Sequence, residues 1–162
     1  MKEKQIEFRL SVVGQQFREV PEVFDRAREF FTEQIERWGY QSSRAEYESA
    51  LTEADIIVST ANHEFFGISV VEAIAGGAFA VLPKRLSYPE ILDSVDINFA
   101  DEFFYDGSVS GLVKKLAGLA KPTEDGKLWA GDRERGRRGM ERFYWDNVTP
   151  VLDDELEALN RN

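Results

Sequence analysis

Two glutamates, Glu64 and Glu72, are separated by seven residues in a stretch whose residue types suit the binding of sugar and phosphate groups. Glu64 belongs to a polar loop (61–66), and Glu72 lies about a turn into the helix that Gly67 opens, so both carboxylates are expected at one end of this helix. An ionised carboxylate accepts hydrogen bonds from hydroxyl groups such as those of a sugar or a ribose. Backbone N–H groups at the start of a helix favour an anion such as a diphosphate. Together, these groups predict a nucleotide-sugar site.

The N–H groups expected at the positive end of this helix belong to four consecutive residues, Phe66, Gly67, Ile68 and Ser69. Because Gly67 has no Cβ, it allows a ligand to approach the backbone closely. His63, the single histidine, lies in the polar loop, where it is either a ligand contact or a bystander.

The same residues also have purely structural interpretations, and the sequence alone leaves them open. Ser69-x-x-Glu72 fits a capping box, in which Glu72 folds back to the Ser69 backbone N–H group. Glu64 fits an acid of the first turn that complements the helix dipole. Phe65 and Phe66 favour packing over the stacking of a base.

A strand-helix-strand unit is predicted to position this site. Residues 56–58 are consecutive apolar residues typical of a buried parallel strand, residues 67–77 show apolar spacings of three and four and end in two glycines, and residues 78–82 are a second buried strand that ends at Pro83. Open sheets built from such units bind ligands outside the carboxyl ends of their strands. The loop that holds His63 and Glu64 is therefore expected at the functional edge.

The rest of the chain continues the alternation of strands and helices. About five alternations predict an α/β fold, namely a three-layer α/β/α sandwich around a Rossmann-like, doubly wound parallel sheet. The charge run 132–138 predicts a solvated face. The further predicted elements are a strand that ends at Gly14, a helix from Pro21 to about residue 31, a strand at 35–40, a helix at 44–53 capped by Ser42 or Ser43, a short helix at 88–92, a last strand within 97–105, a helix at 108–119 ended by Lys121-Pro122, and two helices in the tail.

Composition excludes several classes of protein. The 162 residues predict about one domain, and the absence of cysteine excludes disulfides and thiolate metal sites. With a single histidine, a transition-metal site would consist mostly of carboxylates. The composition favours a reducing, cytoplasmic location, and no segment reads as a signal peptide or a membrane span. A net charge of −10 disfavours nonspecific attraction to nucleic acid or to anionic lipid.

The stretch HEFFGISVVEAIAGG (63–77), followed by a buried strand, resembles the E-x7-E donor-site motif of retaining GT-B glycosyltransferases of the group 1, family 4 type. Four segments are similar to the carboxyl-terminal lobe of the tRNA-queuosine mannosyltransferase type. They are LSVVGQQFREVPEVFDRA, WGYQSSRAEY, ADIIVSTANHEFFGISVVEAI and LPKRLSYPEIL, and the similarity covers residues from about 8 to 120.

This resemblance implies roles for individual residues. Glu64 would lie against the hydroxyl groups of the donor sugar as the catalytic residue, and Glu72 would hold the ribose. Tyr40 and Arg44 match the loop that contacts the base, and Gly14 matches the glycine that faces the diphosphate. The segment that contains Arg85, Ser87 and Tyr88 would reach the cleft. The donor-binding residues implied in this way are Gly14, Tyr40, Arg44, His63, Phe66, Gly67, Ile68, Ser69, Glu72 and Arg85.

The resemblance also implies a domain organisation. Residues 1–142 would form the donor-binding domain, with residues 1–6 disordered, and residues 143–162 would form a helix that crosses to an N-terminal acceptor lobe. The family carries an Arg and a Lys, just upstream of the position where this chain begins, that neutralise the leaving diphosphate. Without them and without that lobe, the isolated chain is expected to bind weakly and to be inactive. Trp145, Val148 and Val151 would form an exposed apolar patch or a homodimer contact.

The function implied by the resemblance is transfer of mannose from GDP-mannose to an acceptor hydroxyl, with no cofactor and no obligatory metal. A tRNA acceptor would be bound only through the full-length enzyme, and no membrane partner is expected. The alternatives are a noncatalytic α/β binding or regulatory module, and a transferase or epimerase that uses a UDP-sugar, with a glycan as the acceptor of the transferase.

Overall fold

The computed structural model describes residues 6–14, 20–93, 95 and 100–160. The chain divides into two compact units, Met1–Glu53 and Ala54–Asn162. The predicted boundary between residues 142 and 143 stays a prediction, and the expected disorder of residues 1–6 falls, apart from residue 6, outside the described residues. None of the described helices is both long and apolar enough to cross a membrane.

The first unit contains a pair of parallel strands. Leu10 at the start of β1 is opposite Ile35 at the start of β2, and Val13 is opposite Gly39. The elements of this unit, all predicted from the sequence, are β1 (Leu10–Val13), α1 (Glu22–Phe30), β2 (Ile35–Gly39) and α2 (Arg44–Thr52).

Helix α2 begins at the cap predicted at Ser42 or Ser43, and Ser43 is the capping residue. The Ser43 side chain accepts a hydrogen bond from the Glu46 N–H group at 3.2 Å. The Glu46 carboxylate in turn accepts from the N–H group of Ser42 at 3.0 Å and from its hydroxyl at 2.6 Å. These bonds satisfy N–H groups that have no partner within a helix.

The second unit contains a parallel sheet in the order β3-β4-β5. Ile56 pairs with Phe79, and Pro83 pairs with Tyr105, so the carboxyl ends of the strands share one edge. The elements are β3 (Ile56–Val58), α3 (Ile68–Ala75), β4 (Phe79–Pro83), α4 (Tyr88–Asp93), α5 (Ala100–Phe103), β5 (Phe104–Tyr105), α6 (Val109–Glu124), α7 (Glu134–Met140) and α8 (Trp145–Asn160), with 3-10 turns at Leu128–Gly131 and Glu141–Phe143. Parallel strands that alternate with helices confirm the predicted α/β, Rossmann-like class; in the described residues they form two small sheets.

The core of the second unit surrounds β4, all of whose residues are buried. The rings of Phe79, Phe103 and Trp129 contact one another, with centroids 5.0–5.1 Å apart. The Trp129 indole N–H donates to the Gly77 carbonyl at 3.1 Å, which satisfies the polar atom of a buried ring. Helix α7 packs against α3 through Gly136, which is buried, whereas the charged side chains around it are mostly exposed, as predicted for residues 132–138.

One predicted boundary needs correction. Helix α6 does not end at Lys121-Pro122 but continues to Glu124, with Pro122 inside it. A proline removes a single backbone donor, and the Thr123 hydroxyl and the Asp125 N–H group still bond to the carbonyls of Leu119 and Lys121. The last strand predicted within 97–105 is confirmed as β5 (Phe104–Tyr105), which follows the short helix α5; residues 97–99 of the predicted range lie outside the described part.

Candidate functional site

The β3–α3 loop (residues 59–67) joins the carboxyl end of β3 to the start of α3. Its last residue, Gly67, is the N-cap of α3 and has a left-handed backbone, with φ 96° and ψ 45°. A Cβ at this position would lie 3.3 Å from both Tyr88 Cε1 and Ile91 Cδ1. Glycine is therefore required here both for its backbone conformation and for the close approach of these two side chains.

The N-terminus of α3 presents backbone donors that make no hydrogen bond within the described part of the chain. No side chain caps this helix. Among the described residues, none accepts a hydrogen bond from the N–H groups of residues 66–69. Ile68 and Ser69 are exposed whereas Gly67 is buried, so water or an anion can approach the N–H groups of residues 68 and 69 most directly. Such an arrangement suits an anionic ligand.

Glu64 lies beside the N-terminus of α3, as predicted. Its Oε1 atom accepts a hydrogen bond from the Phe65 N–H group at 3.0 Å. Its Cγ atom lies 3.7 Å from the position that a Cβ of residue 67 would occupy. The half-buried Glu64 carboxylate is thus held beside the helix start, where it complements the helix dipole and can accept further hydrogen bonds.

The capping-box interpretation of Glu72 is wrong. Gly67, not Ser69, is the N-cap, and Ser69 lies within α3. A capping box needs its serine outside the first turn, in an extended conformation. Glu72 is half-buried in the second turn of the helix, two residues after the buried Val70.

Comparison with known proteins decides the family. A family model described as "Family 4 Glycosyltransferase in conflict systems" matches residues 1–86 of the 162. The chain belongs to this family. The tRNA-queuosine alpha-mannosyltransferase of Drosophila melanogaster is 35% identical to this family 4 chain over 114 residues, which is 70% of the chain and 28% of that protein. The chain thus spans under a third of the length of this relative. The comparison with solved structures found no match.

Several of the side chains that hold the β3–α3 loop of this family 4 chain come from one segment, residues 85–88. The Arg85 guanidinium donates to the Ala61 carbonyl at 2.9 and 3.2 Å and to Asn62 Oδ1 at 2.8 Å. The Ser87 hydroxyl donates to the Phe66 carbonyl at 2.7 Å. The Tyr88 hydroxyl lies 2.7 Å from Ser59 Oγ. The predicted donor contact of Arg85 stays a prediction, and what the structure places here is support for the loop.

Two residues that support this loop were not predicted. The Tyr105 hydroxyl donates to the Ser59 carbonyl at 3.1 Å from the end of β5. Burial raises the pKa of Tyr105, while the positive charge of Arg85 acts in the opposite direction. The ring of Phe143 contacts the ring of Phe66 edge-on. Tyr105 could have been anticipated, because it ends a predicted strand at the same edge of the sheet; Phe143 carried no such signal.

The two phenylalanines of the loop, Phe65 and Phe66, differ in their contacts. Phe66 packs against another ring, as predicted, but Phe65 is fully exposed at 104%, so its predicted packing is wrong. His63 is also exposed, and among the described residues no group of three His, Cys, Asp or Glu side chains is arranged to hold a metal ion.

Three predicted donor residues of this glycosyltransferase chain lie in the first unit. Gly14 directly follows β1, and its N–H group donates to the Gly39 carbonyl at 3.1 Å. Tyr40 is 74% exposed. Arg44 pairs with Glu48 at 2.7 Å on the exposed surface of α2. Their role at the donor stays a prediction.

Proposed function

We propose that this chain binds the nucleotide-sugar donor of a glycosyltransferase at the N-terminus of α3. The observation that carries the proposal is the set of four N–H groups at residues 66–69, which donate to no described residue and beside which the Glu64 carboxylate is held. The N–H groups would receive the diphosphate, Glu64 would accept from a hydroxyl group of the donor sugar, and Glu72 would accept from the ribose.

The reaction proposed for the whole protein is transfer of mannose from GDP-mannose to an acceptor hydroxyl with retention, without a cofactor or an obligatory metal. In this reaction the bond from the anomeric carbon to the diphosphate oxygen breaks, the acceptor oxygen bonds to that carbon on the same face, and the proton of the acceptor hydroxyl passes to the departing diphosphate. Membership of family 4 and the name of the Drosophila relative support this proposal. The N–H groups of α3 would stabilise the negative charge that develops on the diphosphate. Because the chain spans 28% of that relative, we propose that by itself it binds the donor weakly and transfers no sugar.

The proposed partners are an acceptor lobe that contacts α8 and, through the full-length enzyme, a tRNA in the cytoplasm. The predicted apolar patch on α8 is exposed: Trp145 by 78%, Val148 by 37% and Val151 by 63%. Helix α8 contains no lysine or arginine, so a partner with a basic rim fits it better than a second copy. The acidic residues of the helix are Asp146, Asp153, Asp154, Glu155 and Glu157.

Calorimetric titration of the chain with GDP, GDP-mannose and UDP tests this proposal. We expect GDP and GDP-mannose to bind with dissociation constants up to the millimolar range and UDP to bind more weakly. Glu72→Ala should weaken binding about tenfold, since it removes a ribose contact worth about 1.4 kcal/mol. Glu134→Ala, which changes an exposed glutamate of α7, is the matched control and should bind as the unaltered chain does.

Two outcomes would contradict the proposal in different ways. A preference for UDP would favour a transferase or epimerase that uses a UDP-sugar. The absence of binding by every nucleotide at millimolar concentration would favour a noncatalytic module.

A further inference from the structure

The conformation of the β3–α3 loop depends on residues outside it. Within the loop, the described hydrogen bonds are those from the Ala61 N–H group to Ser59 Oγ, at 3.2 Å, and from the Phe65 N–H group to the neighbouring Glu64 carboxylate, at 3.0 Å. Neither bond fixes the direction of the N–H groups at the start of α3. The Gly67 carbonyl accepts from the N–H groups of Val70 and Val71 within α3, which fixes the peptide unit of the Ile68 N–H group. The contacts to the preceding part of the loop come from residues 85–88, after the end of β4.

Ser87 acts on the peptide unit that precedes α3. Its hydroxyl donates to the Phe66 carbonyl at 2.7 Å, and this carbonyl shares a rigid, planar peptide unit with the Gly67 N–H group. Because the two groups point in opposite directions, holding the carbonyl also sets the direction of the N–H group. A hydrogen bond to the carbonyl further polarises the unit, which makes its N–H group a stronger donor.

Tyr88 contacts both ends of the loop. Its hydroxyl lies 2.7 Å from Ser59 Oγ at the beginning, and its Cε1 atom would lie 3.3 Å from a Cβ at residue 67. The side chain is 1% exposed, so its position is fixed by the core of the second unit. Leu86, the residue before Ser87, has φ 60°, a left-handed conformation that residues other than glycine rarely adopt. This turn directs Ser87 and Tyr88 to the loop.

We infer that Ser87 and Tyr88 are positioning residues, which orient the Gly67 N–H group and hold the β3–α3 loop that leads to it, so that the start of α3 is arranged for a nucleoside diphosphate before it binds. This inference rests on the proposed function for the identity of the ligand. The orienting role itself is a property of the free chain. Since the N–H groups are fixed in advance, binding requires less ordering of the loop.

Substitution of Ser87 tests the inference with two independent measurements. In the ligand-free chain, the nitrogen-15 order parameter of the Gly67 N–H group is expected near 0.85, and Ser87→Ala should lower it to below about 0.6. The affinity for GDP should fall about tenfold in the same variant, while Ser87→Thr, which keeps the hydroxyl, should restore both values. Ser11→Ala is the control, because Ser11 is exposed on β1 and makes no described side-chain hydrogen bond.

Tyr88→Phe distinguishes the role of Tyr88 from that of Ser87. It keeps the ring beneath Gly67 and removes the bond to Ser59, so order should fall at residues 59–61 and remain at Gly67. Unchanged order and unchanged GDP affinity in Ser87→Ala would overturn the inference, and so would a loss of order without a loss of affinity. The unaltered chain could bind no nucleotide while Ser87→Ala still lowers the order parameter of Gly67. That result would support the orienting role and contradict the proposed function.

Discussion

The ring of Phe66 packs edge-on against the ring of Phe143, with the ring centroids 5.3 Å apart. The Arg142 guanidinium lies 4.5 Å from the centroid of the Phe143 ring and donates to the Glu90 carbonyl. These contacts fix the turn that precedes α8 to the β3–α3 loop. The loop of the proposed donor site and the start of the last helix are therefore joined within the second unit.

Phe143→Ala should destabilise the chain, because it removes a half-buried ring and its contact with Phe66. We expect a loss of about 2–4 kcal/mol in the free energy of unfolding, measured by urea titration. Phe65→Ala is the matched control, since the Phe65 ring is fully exposed, and it should change stability by less than about 0.5 kcal/mol. Equal effects of the two substitutions would contradict the packing described for Phe143.

Gly136→Ala should also destabilise the chain. A Cβ at residue 136 would lie 2.8 Å from Trp129 Cζ2 and 3.1 Å from the Ile74 carbonyl, so α7 would have to move away from α3. The expected cost is about 1–3 kcal/mol of unfolding free energy. Gly118→Ala, in α6, meets no atom within 4 Å and should stabilise the chain by about 0.5–1 kcal/mol. A neutral Gly136→Ala would show that the two helices are not packed so closely.

Ala130→Gly should stabilise the chain or leave its stability unchanged. Ala130 is exposed and has φ 57° and ψ 30°, a left-handed conformation that disfavours a Cβ. Relief of this strain, less the added entropy of the unfolded chain, predicts a gain of up to about 1 kcal/mol. Ala117→Gly, inside helix α6, should instead cost about 1 kcal/mol. A similar loss in both variants by thermal unfolding would contradict the backbone assigned to Ala130.

Asp106 should contribute to acid sensitivity. Hydrogen bonds from the Ser108 hydroxyl at 2.6 Å and from its N–H group at 2.9 Å hold the pKa of Asp106 below its usual value of 3.8. The folded state therefore binds a proton less readily than the unfolded state. The stabilisation is complete above the unfolded pKa and is lost as the pH falls through the folded pKa. Asp106→Asn should make stability less dependent on pH below about pH 4, and an unchanged slope in urea titrations would refute this.

Much of the fold could be predicted because its signals are local. Strand β3 was predicted from the apolar run 56–58, helix α3 from the apolar spacing within 67–77, and helix α1 from Pro21. The cap of α2 was predicted at Ser42 or Ser43. The predicted bounds of these elements agree with the structure within a few residues. The predicted end of helix α6 at Pro122 was wrong. A proline ends a helix only when the loss of one backbone donor and the clash with the preceding turn cost more than the bonds of a continued helix contribute. In α6, side-chain and backbone bonds continue beyond it.

The site was predicted only in part, because its support is not local. Glu64 and Gly67 could be placed at the helix start from spacing alone. The capping box at Ser69 failed because Gly67 reaches a left-handed conformation that ends the loop two residues earlier. The contacts of Ser87 and Tyr105 with the loop join distant parts of the chain, which no local pattern specifies.

The location of nucleotide binding tests the central claim most directly. Titration of the nitrogen-15-labelled chain with GDP, followed by two-dimensional NMR, reports every backbone N–H group. We predict that the largest shifts occur at residues 66–69, in the direction expected for new hydrogen bonds to phosphate, and that Glu72→Gln reduces them at a given concentration. Shifts confined to other residues, or no shifts at millimolar GDP, would contradict the account.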